Sequence, residues 1–102
     1  MDIPVKSLED LGLIVHATRR SSGLRIDDFA GVAGVSKDFA SQLERGKPTL
    51  QMGLALKVIS DLGLKITVTV PDSAVPLYLE VKAKGGLKPL KPRIRKPAGD
   101  AS

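Results

Sequence analysis

The chain has 102 residues, enough for one small domain and a tail, and a formal net charge of +5. It contains no cysteine, which excludes a disulfide framework and a thiolate metal site and is typical of the reducing cytoplasm. No charged segment precedes a continuous apolar run, so we expect neither a signal peptide nor a membrane-spanning segment. Residues 1–70 hold nine basic against eight acidic side chains, whereas residues 71–102 hold seven against three, so the basic character lies near the C-terminus.

The N-terminal part of the chain predicts two helices. Side chains at helical spacing indicate a first helix over residues 7–22. These side chains are Leu8, Leu11, Ile14, Val15 and Thr18. Gly23 suits the position that ends this helix, because glycine adopts a positive φ without strain. A second helix is predicted over residues 26–33, with Asp27 and Asp28 placed favourably in its positive first turn.

Residues 24–46 predict two short helices joined by a tight turn. The inward stripe, which passes from one helix to the next, comprises Phe29, Ala30, Ala33, Val35, Phe39, Ala40 and Leu43. Gly34 suits the turn, and Ser36 can cap a third helix over residues 37–45, which Gly46 ends. The outer face of that helix carries Lys37, Asp38, Ser41, Gln42 and Arg45. A short polar face behind a tight turn is typical of a recognition helix in a DNA groove.

A fourth helix is predicted after Pro48, with Thr49 as its cap and Gly63 at its end. One apolar face of this helix is expected to close the core. It comprises Met52, Ala55, Leu56, Ile59 and Leu62. Leu54 and Val58 form a second stripe, which in so small a domain predicts a partner surface.

Residues 64–70 alternate between apolar and polar side chains, and this pattern predicts a β-strand. Its apolar residues are Leu64, Ile66, Val68 and Val70. A lone strand leaves its backbone groups unpaired, so a partner strand is required. We favour the same strand of a second chain across a two-fold axis. A hairpin with Leu77, Leu79 and Val81, through a loop at residues 71–76, is the alternative, and both could coexist in one sheet.

The C-terminal residues 82–102 are rich in Gly, Pro, Lys and Arg and show no periodicity, so we expect a disordered basic tail. The predicted organisation is therefore a helix-turn-helix domain over residues 1–63, a dimerising segment over residues 64–81 and this tail. Residues 76–96 are expected either to add non-specific phosphate affinity or to contribute to a protein contact.

The segment 24–46 resembles the helix-turn-helix of phage-repressor-like (Xre family) DNA-binding proteins. With the connection GKPT, the fourth-helix segment ALKVISDLGL and the strand KITVTV, residues 11–70 are similar to a HipB-like antitoxin. The resemblance implies an all-α, four- to five-helix lambda-repressor-like domain with a short C-terminal strand paired across a homodimer. It further implies an autoregulating repressor that is located in the bacterial cytoplasm and associated with the nucleoid. The implied partners are palindromic double-stranded DNA and a HipA-like serine/threonine kinase toxin.

The resemblance also implies roles for single residues. Base edges are expected to face Lys37, Asp38 and Gln42, with Ser41 on the same side; the alternative is a plain solvated helix face. Gln42 can form two hydrogen bonds with adenine, Lys37 can donate to guanine O6 and N7, and Asp38 can accept a hydrogen bond from cytosine N4. The expected phosphate contacts are Arg25, Ser36, Arg45 and Lys47.

Two further positions follow from the resemblance. Arg19 and Glu44 are expected to form a partly buried structural ion pair between the first and third helices. The family commonly carries Thr-Gln where this chain has Arg25 and Ile26, so one phosphate anchor is missing and Arg25 is the expected substitute. The near-neutral domain predicts weaker and more salt-sensitive DNA binding than that of a strongly basic repressor.

The sequence contains no pattern that favours an enzyme, a metal or a cofactor. His16 is the single histidine and has no cysteine near it, and the GKPT segment lacks the preceding glycine of a phosphate-binding loop. Two alternatives to the antitoxin remain. One is a stand-alone phage- or host-type repressor. The other is a protein-interaction module that uses Leu54, Val58 and the strand, with an inert recognition helix.

Overall fold

A computed structural model describes residues 1–89, and all regular structure in that range is helical. The helices are α1 (Leu8–Ser21), α2 (Ile26–Ala33), α3 (Lys37–Arg45), α4 (Met52–Asp61) and α5 (Val75–Ala83), the last preceded by a 3₁₀ turn at Asp72–Ala74. The predicted all-helical class with four to five helices is confirmed. Residues 1–66 form one compact unit, and a second unit begins at Thr67. None of the helices in the described range has the length and apolar character needed to cross a membrane.

Local signals set the ends of α2 and α3, which begin and end at the predicted residues. Gly34 ends α2 with a φ of 72°, and Gly46 ends α3 with a φ of 69°. Ser36 caps α3, because its Oγ accepts a hydrogen bond of 3.0 Å from the backbone N–H of Phe39. These caps satisfy backbone groups that a helix terminus otherwise leaves without a partner.

The core lies where α1 and α2 both pack against α3 and where α4 closes the cluster. The buried apolar residues are Val15, Phe29, Ala30, Ala33, Ala40, Leu43, Ala55, Val58 and Ile59. Phe39 and Val35, which were predicted inside, pack against this cluster and are only partly buried. Each fully buried aliphatic side chain stabilises the fold by about 1.5–3 kcal/mol relative to an exposed one. The predicted helix-turn-helix stripe therefore supplies most of the core.

Two glycines bring the backbones of α1 and α3 into contact. A Cβ at Gly12 would overlap the carbonyl groups of Leu43 and Glu44, and a Cβ at Gly46 would lie 2.5 Å from the backbone nitrogen of Glu9. Any larger side chain at either position would push the two helices apart. The close approach therefore depends on glycine at both places.

Helix α4 departs from the prediction in its start and in its orientation. It begins at Met52 with Gln51 as the preceding residue, so Thr49 is not its cap. Ala55 and Ile59 are buried in the core as predicted. Met52 and Leu56, also predicted in the core, are both 45% exposed, whereas Val58, predicted on a partner surface, is completely buried. The reason is that apolar residues surround most of this helix, so two faces of it suit a core and only packing decides between them.

The segment that follows α4 pairs with no other strand within residues 1–89. Residues 64–70 form neither helix nor paired strand, so the pairing with a second chain stays a prediction. The hairpin with Leu77, Leu79 and Val81 is wrong, because these residues lie in α5. Pro76 suits the first turn of that helix, where its missing N–H is not needed. The tail predicted from residue 82 overlaps the last two residues of α5, and residues 90–102 lie outside the described part.

Candidate nucleic-acid interface

Helix α3 divides its side chains between the core and the solvent. Ala40 and Leu43 are buried, while Lys37, Asp38 and Arg45 are exposed and Ser41 and Gln42 are half-buried. Lys37, Ser41 and Arg45 follow one another at intervals of four residues, and Asp38 and Gln42 form the adjacent row. At about 1.5 Å per residue the polar face is about 12 Å long. The structure therefore places all five predicted residues on one side of α3.

Two polar contacts hold side chains of this face in the free protein. Lys37 Nζ lies 3.6 Å from Asp27 Oδ1, so the first residue of α3 is paired with the first turn of α2. Arg45 donates a hydrogen bond to the hydroxyl of Ser41, one turn earlier on α3. Three of the side chains predicted to meet DNA, those of Lys37, Ser41 and Arg45, therefore have polar partners within the chain.

The predicted phosphate contacts surround the same face. Arg25, Ser36 and Lys47 are exposed and lie just before α2, just before α3 and just after α3. The Ser36 oxygen accepts the Phe39 amide, which leaves its hydroxyl hydrogen free to donate to a phosphate oxygen. Ile26, at the position of the missing glutamine, packs against the core, so its side chain is not available to DNA.

The predicted pair of Arg19 and Glu44 joins α1 to the last turn of α3. Arg19 Nε lies 2.6 Å from Glu44 Oε2, and Arg19 Nη2 donates to Glu44 Oε1 over 3.0 Å. Arg19 is 6% exposed, and its Nη1 donates to the carbonyl of Leu24 over 2.8 Å. No buried side-chain nitrogen or oxygen of residues 1–89 lacks a hydrogen-bond partner. The charges are therefore buried but satisfied, which is the condition under which such a pair is tolerated.

His16 extends this network, a role the sequence analysis missed. Its Nδ1 lies 2.6 Å from Glu44 Oε1, so the carboxylate has partners on two turns of α1. The spacing of three residues between His16 and Arg19 puts both on one face of the helix, and this is the sequence signal that could have revealed it. No group of three potential metal-ligating side chains gathers within residues 1–89.

The network shifts the titration of the charged pair. Burial raises the pKa of Glu44, but hydrogen bonds from Arg19 and His16, with the attraction of the Arg19 charge, outweigh it and hold that pKa below its ordinary value. The hydrogen bond to Glu44 raises the pKa of Arg19 above its ordinary value despite the burial of the guanidinium. Both groups therefore stay charged at neutral pH, and α3 is fixed on α1.

The residues predicted to form a dimer surface divide into two groups. Val58 is buried in the core and cannot contact a second chain, and Leu54 is half-buried. Ile66, Val68 and Val70 are exposed. On α4 the exposed apolar pair is Met52 and Leu56.

The chain is similar in sequence to a curated protein and similar in fold to solved structures. No model of a known protein family matches the chain. The uncharacterized HTH-type transcriptional regulator y4mF of Sinorhizobium fredii (strain NBRC 101917 / NGR234) is 43% identical over 67 residues, which cover 66% of this chain and 88% of that relative. Among solved structures, a chain of the HipA-HipB-O2-O3 complex gives a TM-score of 0.61 and the MDT protein gives 0.60, each at 17% identity. Both matches cover 70% of this chain and 100% of the other, and at this identity they concern the fold alone.

Proposed function

Because the chain belongs to the HTH-type transcriptional regulators, we propose that it represses transcription by binding double-stranded DNA sequence-specifically. The observation that carries the proposal is the division of α3, whose apolar side is anchored in the core while Lys37, Asp38 and Gln42 are presented outward. A major groove about 12 Å wide accepts a helix that presents such a face. A regulator of this kind acts in the compartment that holds the DNA.

The side chains on α3 suit different base edges. Gln42 can form two hydrogen bonds with adenine, Lys37 can donate to guanine O6 and N7, and Asp38 can accept from cytosine N4. Around them Arg25, Arg45 and Lys47, with the hydroxyl of Ser36, can contact phosphates and set the register of the helix.

We further propose that the protein acts as a homodimer on a palindromic operator, with its two recognition helices about 34 Å apart. The segment 64–70 carries exposed Ile66, Val68 and Val70 and has no strand partner within the described residues, so the same segment of a second chain can pair with it as a strand. The exposed pair Met52 and Leu56 supplies further apolar surface on α4.

The finer proposal is that this repressor is the autoregulating antitoxin of a kinase-type toxin–antitoxin pair. The similarity of its fold to a chain of the HipA-HipB-O2-O3 complex supports a HipA-like kinase as its partner. A stand-alone repressor is the second candidate, favoured by the description of the 43% identical relative as a transcriptional regulator. Co-purification of a kinase encoded beside this gene distinguishes the two.

The test of the DNA proposal is fluorescence anisotropy on DNA from upstream of its own gene and on a scrambled duplex, over a salt series. Gln42→Ala should weaken binding to the first duplex by about 1–3 kcal/mol, because a bidentate base contact is lost, and leave the second unchanged. Gln51→Ala is the matched control, since Gln51 is exposed before α4 and makes no capping bond. Equal, steeply salt-dependent binding of the wild type to both duplexes would contradict the proposal.

A further inference from the structure

We infer that Asp27 is a specificity-determining residue of the DNA-binding face, because its carboxylate beside the Lys37 ammonium opposes a phosphate contact there more than it opposes a contact with a neutral base edge. The inference rests on the proposed function of α3 and adds a residue of α2 that does not itself read a base. The charge of an acidic side chain alone opposes DNA binding. Here Asp27 has a role in the choice between DNA sequences.

The contact joins the two helices of the motif. Asp27 is the second residue of α2 and Lys37 is the first residue of α3, and Oδ1 and Nζ lie 3.6 Å apart. Among residues 1–89, this is the ion pair that connects α2 to α3. The side chains of Asp27 and Lys37 are 52% and 65% exposed, so the pair is weak and the Lys37 ammonium stays accessible to DNA.

The effect on specificity follows from what each duplex offers to Lys37. The Lys37 ammonium has three N–H donors, so it can bind a DNA acceptor while Asp27 stays beside it. A phosphate oxygen at that ammonium is anionic and is repelled by the Asp27 carboxylate, whereas guanine O6 and N7 are neutral acceptors and meet less repulsion. Asp27 therefore suppresses a non-specific phosphate contact of Lys37 more than it suppresses the specific base contact.

Asp28 provides a matched control within the same helical turn. It carries the same charge, is also exposed, and forms no ion pair among the described residues. Asp28→Asn therefore removes the same general repulsion from DNA as Asp27→Asn, but it leaves the Asp27 carboxylate beside Lys37. The two variants have the same net charge, so a difference between their DNA affinities reports only the loss of the Asp27 carboxylate beside Lys37.

The first experiment uses the free protein. Unfolding of the wild type, Asp27→Asn, Lys37→Gln and the double variant forms a double-mutant cycle, measured at low and at high salt. We expect a coupling of about twofold to fivefold in the unfolding equilibrium constant at low salt, the range of an exposed ion pair, and its loss at high salt. No coupling at low salt would overturn the inference without reference to DNA.

The second experiment compares the affinity of the same proteins and of Asp28→Asn for the upstream duplex and the scrambled duplex. Asp27→Asn should strengthen binding to the scrambled duplex about twofold to fivefold more than Asp28→Asn does, with a salt dependence steeper by about one phosphate contact. On the upstream duplex the two variants should act alike. In the Lys37→Gln background the difference between them should vanish.

The outcomes separate the inference from the function on which it rests. If the wild type prefers the upstream duplex but Asp27→Asn and Asp28→Asn act alike on both duplexes, Asp27 contributes only its charge and the inference is wrong. If the wild type does not distinguish the duplexes, the proposed function fails and the inference fails with it.

Discussion

The junction of α1 with α3 buries charged side chains, whereas the helix α5 exposes large apolar ones. At the junction, glycines allow the backbones to touch, and the charges of Arg19 and Glu44 are buried with all their polar atoms satisfied. In α5, the large side chains Leu77, Tyr78 and Leu79 are all exposed, and polar pairs four residues apart lie along its surface. Complementary shape, rather than apolar content, therefore holds α1 and α3 together at the junction.

This difference matters for the proposed function because the base-contacting residues share a helix with Glu44. The junction fixes α3 at its C-terminal end, where Glu44 is held by two turns of α1, and the turn at Gly34 fixes its other end. The backbone of such a helix loses little further freedom when it meets a groove, which favours specific binding.

The largest expected effect is the loss of the buried charge pair. Glu44→Ala should lower the free energy of unfolding by about 3–5 kcal/mol, because Arg19 is left buried without its partner. Asp61→Ala is the control, since the exposed pair of Lys57 with Asp61 contributes at most about 1 kcal/mol. Denaturant unfolding of both variants measures the difference, and equal losses would show that burial of the pair has no consequence.

The same variant gives a second readout in acid. Because the pKa of Glu44 is lowered in the folded state, its stabilising contribution is fully present above its ordinary value of 4.5 and is lost as the pH falls through the folded-state pKa. The wild type should therefore lose stability more steeply below about pH 4.5 than Glu44→Ala does. Parallel acid profiles would contradict the role of this carboxylate.

The next effect compares α4 with α5 directly. Ile59→Ala should cost about 2–5 kcal/mol, because Ile59 is buried in the core and its truncation leaves a cavity. Leu79→Ala, on the exposed surface of α5, should change the stability by no more than about 0.5 kcal/mol. Thermal or denaturant unfolding at low protein concentration distinguishes them, and a large loss for Leu79→Ala would mean that α5 is buried in solution.

The smallest effect concerns the backbone contact between α1 and α3. Gly12→Ala should cost about 1–3 kcal/mol, because the new methyl group would overlap the Glu44 carbonyl and force the helices apart. Gly31→Ala on α2 meets no atom within 4 Å and should stabilise the protein by about 0.5–1 kcal/mol, as alanine favours a helix. Changes of the same sign in both variants would remove the special role of Gly12.

Much of the motif was predictable because its signals are local. Ser36 and the glycines at positions 34 and 46 act within a few residues of their own place, so they mark the ends of α2 and α3 without knowledge of the rest of the chain. The amphipathic pattern of α3 is also unambiguous, because its polar and apolar residues separate cleanly at helical spacing.

The faces of α4 were not predictable in the same way. Met52 and Leu56 fit one apolar stripe of the helix, and Val58 fits another. In the folded protein the side of α4 that carries Val58 packs against the other helices, so Val58 is buried and Met52 and Leu56 are exposed. The alternation of Leu77, Leu79 and Val81 predicted a β-strand where the chain forms a helix, for a related reason. Three alternating positions are too short a pattern to exclude a helix, and Pro76 in a first turn supports one.

By itself the sequence determined the helix-turn-helix, its caps and the polar face of α3, because hydrogen bonds and side-chain spacing within one or two turns are properties of short segments. Only the tertiary structure decided which face of α4 is buried, that His16 joins Arg19 at Glu44, and that Asp27 reaches Lys37. Those contacts join residues from different helices, and the distance between such residues depends on how the helices pack rather than on the sequence of either one.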